Sequence, residues 1–451
     1  MKKRWGKWAI ILMMVIAIWS KQRIEVHAQE ILGLDTIRAQ SPYSDGDYLD
    51  DRQVPGLGHP KGQGGGFFGD VDFMFMQSTK AIGEQAVAFR GLFDTTGILS
   101  GALVPNQGGT QTLINGAPVT VGNGTYTSFT SGAPGTFIGP GSVALSTAML
   151  TRSSYEPGMK ITLGYQFDDG QFAVYASYLH LFEAHSQVSA SLIPPMFQSP
   201  GNLSADYLTA PVFNFPTNYA GPTTKTPYDG NVIQQLSGAR PTGLNYGIWN
   251  GASEMALVFT QRFDTFDLTG RFRAYSSETA NVYGLAGGRF AWFWEQLKWR
   301  TTALDVNGNG TPSWTADYSN VLSQRMYGPF AGAGSDVYLG HGFSANFDAT
   351  GALLLDFVKT IPKYWLEDLS IAKKVTRNSY EVVPNVNLGV NLLWNPFKNV
   401  QVRVGYQAML FFNTKYMATP IDFNYGSLDP GYSNYFLRVV QGLNVGVGFM
   451  F

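Results

Sequence analysis

VQVRVGYQAMLFF, residues 400–412, repeats with a period of two: Val400, Val402, Val404, Tyr406, Ala408, Leu410 and Phe412 alternate with Gln401, Arg403, Gly405 and Gln407. Period two is the signature of a β-strand with one apolar face. The same pattern runs upstream through Val386, Leu388, Val390, Leu392 and Trp394, interleaved with Asn387, Gly389 and Asn391. It recurs in Phe343, Ala345, Phe347, Ala349, Gly351, Leu353, Leu355 and Phe357, which alternate with Ser344, Asn346, Asp348, Thr350 and Asp356. Ile161, Leu163, Tyr165 and Phe167 repeat it once more. A soluble antiparallel sheet also alternates, but its strands average about 5 to 6 residues. Runs of about 10 to 15 residues, tilted by about 40°, match the ~25 Å apolar band of a barrel that crosses a membrane.

Strands read approximately over 66–77, 157–167, 171–184, 251–275, 282–300, 321–339, 343–358, 381–394, 399–413 and 435–451. The predicted fold is all-β: one transmembrane antiparallel up-and-down β-barrel of about ten strands, within a range of about 8 to 14. The connections alternate. Asp168-Asp169-Gly170, 276–281, Gly340-His341-Gly342 and 395–398 are short, whereas 78–156, 185–250, 301–320, 359–380 and 414–434 are long. Short periplasmic turns and long extracellular loops produce that asymmetry and place both ends of the barrel in the periplasm. In strand 251–275 the alternation of Met255, Leu257, Phe259 and Phe263 loses phase before Phe266, Leu268 and Phe272. A bulge at Asp264-Thr265 is expected there, because a hairpin turn would break the even strand number.

Charged residues make up only 14% of the chain, against about 25% in ordinary soluble proteins, and the net charge is −1. That balance offers no electrostatic footprint for nucleic acid. With no cysteine, disulfide frameworks, thiolate metal sites and a cysteine nucleophile are excluded. Lys2, Lys3, Arg4 and Lys7 precede an apolar run from Trp8 to Trp19, and Val26-His27-Ala28 is an acceptable cleavage site, so 1–28 reads as a signal peptide. Residues 29–65 lack sustained periodicity and read as a flexible periplasmic arm, leaving 66–451 as the barrel. After Ala28 no apolar run is long enough for a membrane helix, which leaves a closed barrel as the way to span a bilayer.

Chemical motifs are sparse. Gly64-Gly65-Gly66-Phe67-Phe68-Gly69 matches G-x-G-x-x-G but opens a strand, so no helix N-terminus awaits a phosphate. His180, Glu183 and His185 lack metal-site spacing, and in a strand positions 180 and 185 face opposite sides. The segment Asp305 to Gly310 begins like a calcium loop, but Ala316 stands where the bidentate glutamate is required. No catalytic residue, metal site or cofactor is therefore assigned. Alternation instead places Asp70, Asp72, Arg271, Arg273, Arg289, Asp348, Asp356, Arg403 and Arg438 on the face away from lipid, as candidate lumen-lining residues. Phe167, Phe172, Phe343, Trp394, Phe449 and Phe451 form the expected periplasmic membrane girdle.

Leu443, Val445, Val447, Phe449 and terminal Phe451 alternate in a closing strand that resembles the signal read by the outer-membrane barrel assembly machinery. Together with 158–184, 282–295, 325–357 and 383–413, segment 441–451 resembles the β-barrel porins typical of planctomycete outer membranes. The resemblance covers most of 157–451, weakens in 78–156 and 185–250, and implies an outer-membrane barrel with no catalytic residues to carry over. The expectation is an outer-membrane channel for small hydrophilic solutes, with lipid, the assembly machinery and those solutes as partners. A surface-structural or adhesive barrel with a side-chain-filled lumen is the second reading, and an outer-membrane enzyme the third.

Overall fold

A computed structural model describes residues 65–94, 102–104, 128–130, 136–138, 141–150, 155–167, 171–191, 208–216, 248–249, 251–277, 279–303, 314–367, 371–397 and 399–450. Ten long strands carry the fold: β1 Gly66–Ser78, β2 Glu156–Gln166, β3 Phe172–Ser191, β4 Glu254–Ser276, β5 Ala280–Thr302, β6 Thr315–Gly340, β7 Phe343–Leu366, β8 Arg377–Phe397, β9 Val400–Thr419 and β10 Gly431–Met450. Each pairs antiparallel with its neighbour in sequence, and β1 also pairs with β10, Val71 opposite Val447, so the sheet closes on itself. Closure removes every edge, as a bilayer interior requires. The signal peptide and all but the last residue of the arm lie outside the described residues, as do Asp168-Asp169-Gly170, Asp305 to Gly310 and Phe451.

The wall is uneven in height. β1 and β2 have 13 and 11 residues, whereas β5 and β6 have 23 and 26. Exposure alternates along the strands: Phe67, Val71, Phe73, Leu163, Leu353 and Val382 point outward and are exposed, while Phe68, Asp70, Asp72 and Met74 point inward and are buried. At the tight turn between β6 and β7, Gly340, His341 and Gly342 all have positive φ, +93°, +53° and +79°. That left-handed run is what glycines at its two ends permit.

Several strands run further toward the loop end than their apolar alternation. β7 continues to Leu366 rather than ending near 358, and β6 begins at Thr315 rather than 321. β4 is one strand, and its apparent loss of phase has another cause than a bulge at Asp264-Thr265. Odd-numbered residues point inward from Met255 through Arg271, and the apolar ones simply change from the inner face to the outer face along the strand. The bulge lies on β3 instead: Gln261 faces Ala184 and Phe263 faces Leu181, so Phe182 and Glu183 together oppose Arg262. This extra residue also corrects the expectation for the histidines. His180 opposes Asp264 and His185 opposes Thr260, so both lie on the outer wall.

Two apolar clusters fill the inside. One joins Phe263, Phe293, Phe411, Met74, Met326 and Val440 at mid-height. The other, at the loop end, packs barrel residues Met255, Leu257, Trp299 and Tyr318 against cap residues Val87, Leu145, Leu208, Ile248 and Trp249. The cap includes a small sheet of Ala86–Arg90, Val143–Ser146 and Leu208–Thr209.

Candidate functional site

The lumen is stacked in layers, each fixed by strand register. Nearest the turn end is a polar chamber of about 150 Å³ lined by Asp70, Lys160, Arg271, Asp336, Asp348 and Arg403, among others. Asp70 and Asp72 of β1 face β9 across β10, and Arg403 reaches both, at 2.9 and 3.4 Å. On the opposite wall Arg271 pairs with Asp336 at 2.5 Å and lies 3.5 Å over the Tyr283 ring. Tyr283 donates its hydroxyl proton to Asp348. Asn346 donates to Tyr283 at 2.6 Å and to Asp336 at 2.9 Å, Asn391 donates to Asn346, and Asn444 donates to Asn391. The chain of donors thus runs round the inner wall from β4 to β10. One layer further in, Arg289 grips Asp267 through two bonds of 2.9 and 2.7 Å and donates to Asn385 at 2.6 Å.

Above these charges the lumen is apolar. Phe263, Phe293 and Phe411 meet with ring centroids 4.5, 5.1 and 5.9 Å apart, the first pair tilted and the other two edge to face. Over this aromatic trio lies a second charged layer. Arg438 and Glu295, both fully buried, form a two-pronged pair with one contact at 2.8 Å, and Gln261 donates to Glu295 at the same distance. Lys415 pairs with Glu381 at 2.9 Å. Asp356 faces Glu381 in the register, and neither of its carboxylate oxygens has a hydrogen-bond partner. At the loop end Trp249, Trp299, Tyr318, Tyr364 and Tyr425 pack as a cluster of rings. Burial there pushes the phenol of Tyr425 far up, keeping it protonated.

Of the sequence-derived lumen residues, Asp70, Asp72 and Arg403 meet at one wall, and Arg271 and Asp348 meet through Tyr283. Arg289 lines the same chamber and pairs there with Asp267, and Asp356 and Arg438 occupy the layer beyond the aromatic trio. Arg273 is the exception: it is exposed at the turn end and encloses nothing. Sequence reading missed the partners Lys160, Asp267, Glu295, Asp336, Glu381 and Lys415. Lys415 lay beyond the strand end read at 413; for the others the inward parity was visible, but which charge meets which depends on register between strands. Phe167, Phe172, Phe343, Trp394 and Phe449 lie exposed at the turn end, Phe167 against Phe172 at 5.4 Å and Phe343 stacked on Trp394 at 5.9 Å. Among the described residues no group of three or more metal-ligating side chains is gathered.

No known family profile matches the chain, and no curated protein matches it. Among solved structures it is similar to the outer membrane protease OmpT of Escherichia coli, at 8% identity over 86% of this chain and 97% of that one, with a TM-score of 0.37. A FadL homologue of Pseudomonas aeruginosa matches at 8% identity over 86% and 90%, TM-score 0.22. The toluene transporter TodX of Pseudomonas putida matches at 9% over 91% and 94%, TM-score 0.27. Likenesses this distant say nothing of activity. The ring of ten antiparallel strands, its apolar outer belt and its polar inner wall make the chain a transmembrane β-barrel of the outer-membrane kind.

Proposed function

We propose that the protein is an outer-membrane barrel whose lumen is closed at rest, and that it holds its capped loop end at the cell surface as a structural or adhesive element. The observation that carries this reading is the pair of buried layers across the lumen: the Phe263–Phe293–Phe411 trio and the Arg438–Glu295 pair, the latter at 0% exposure. Ten strands lie near the size at which side chains alone fill a barrel. Reconstituted in planar bilayers, the full chain should show no steady conductance steps, while running faster on a gel unheated than boiled. Stable single-channel currents from the unmodified protein would overturn the closed-lumen reading.

A second reading, a channel for small hydrophilic solutes, draws support from the polar chamber at the turn end, with both signs of charge on its walls. It requires the aromatic trio to move. Replacing Phe263, Phe293 and Phe411 by alanine tests it, since a channel closed only by these rings should then conduct, with selectivity moved toward cations by Arg403→Ala.

A further inference from the structure

The outer wall changes character at a sharp level. On β7, Phe343, Phe347, Leu353, Leu355 and Phe357 face outward, and the next outward residue is Lys359. Strand β6 makes the same change from Tyr327 to Arg325, and β4 from Phe266 through Asp264 to Arg262. Trp292 on β5 lies between two guanidinium groups, Arg262 at 4.9 Å and Arg325 at 5.4 Å from its ring centroid. Its indole N–H donates to Ser323 at 3.0 Å, and Ser323 sits directly opposite Lys359 in the register. Asp264 pairs with Arg262 at 2.9 Å and is engaged also by Tyr178 and His180. Among the described residues neither Arg325 nor Lys359 meets a carboxylate.

We infer that Arg262, Arg325 and Lys359, arrayed round Trp292 one step above the apolar belt, form a binding site for the phosphate headgroup of a membrane lipid. The inference rests on the transmembrane reading. Charge complementarity and height select the occupant: the three cations stand about 6 to 7 Å above lipid-facing side chains, the level of a headgroup, and although Arg262 is paired with Asp264, Arg325 and Lys359 meet no carboxylate among the described residues. Trp292 lies within cation–π reach of both guanidinium groups, an attraction to the ring face that leaves N–H donors for an anion. Directly beneath the cations Phe290 and Tyr327 pack with ring centroids 4.9 Å apart, and below that pair Ala286, Gly288, Pro329 and Ala331 leave a shallow bed between the bulkier outward residues of β4 and β7, where a Cβ at Gly288 would meet nothing. An acyl chain attached to the bound phosphate has room there.

The test uses the full chain inserted in phosphatidylcholine vesicles containing a minor fraction of phosphatidic acid, released into native mass spectrometry. Phosphatidic acid should remain attached to the unmodified barrel in preference to phosphatidylcholine. The triple variant Arg262→Gln, Arg325→Gln, Lys359→Gln should retain it at least about tenfold less, a modest fraction of what three cations supply toward an anionic lipid surface. Arg273→Gln, at the opposite end, should retain it as the unmodified protein does. Equal retention by the triple variant overturns the site, as does displacement of the lipid by inorganic phosphate at matched concentration, which would mark a soluble-anion site. The heat-dependent gel shift separates the failures: a chain that never inserts overturns the membrane reading and this one together, whereas an inserted chain without lipid preference overturns the lipid site alone.

Discussion

The two halves of the barrel wall obey opposite rules. Toward the turn end, Leu353 and Phe347 face outward and Asp348 and Thr350 inward; toward the loop end of the same strand, Lys359 and Lys363 face outward and Tyr364 and Leu366 inward. The backbone does not change, so the inversion reports a change of solvent. Where lipid lies outside, polar groups must be satisfied inside; where water lies outside, the inner face becomes an ordinary apolar core packed by the cap. A single strand such as β4 records both regimes, with Leu257 and Phe259 buried inside and Phe266 and Leu268 exposed outside.

The largest effect should come from the inner charges of the closed layers. Glu295→Ala leaves Arg438 buried without its partner and should cost about 3 to 5 kcal/mol in denaturant unfolding from a bilayer. Loss below about 1 kcal/mol would mean that water reaches this layer. Next is the outer wall. Leu353→Arg, in the belt, should cost about 2 to 4 kcal/mol, while Ile361→Arg, on the same face eight residues nearer the loop end, should cost about 0 to 1. Equal costs would erase the boundary between the halves. The smallest effect lies in the cap, where the Lys80 ammonium donates to the carbonyls of Thr147 and Leu150 and burial lowers its pKa. The unfolded chain then binds this proton more tightly, so cap stability should rise modestly as pH climbs from the lowered value toward the ordinary 10.5 and level off above it. Amide exchange in Val143–Ser146 reads this out, and Lys80→Gln should abolish the dependence.

The inversion also explains what the sequence discloses. Strand number, chain direction and the belt were legible because residues such as 343–357 contrast apolar with polar at every step. Beyond Phe357 the contrast fades: Lys359, Ile361, Lys363 and Trp365 outside oppose Thr360, Pro362, Tyr364 and Leu366 inside, and neither face is uniformly apolar. Strand ends there looked like loops, and the crossing between regimes in β4 looked like a bulge. The real bulge at Phe182-Glu183 carries no turn residue to announce it. Inward charges were legible one by one through parity. Their pairing was not, since Arg438 and Glu295 stand 143 positions apart and meet only through the closed ring.

That ring closes on a seam whose timing follows from its chain separation. Thr79 hydrogen-bonds to Val439 across 360 positions, and β1 can complete its ladder with β10 only after the whole chain has been delivered. Nine strands without the tenth present two unsatisfied edges to their surroundings, each a template for wrong pairing. Assembly therefore has a commitment point at its last step rather than its first, and a truncated chain has no smaller barrel to fall back on. The low wall at the seam, 13 residues in β1, keeps that final ladder short, and the segment that leaves β1 for the cap bonds to β10 at Val439 and to β9 at Met417.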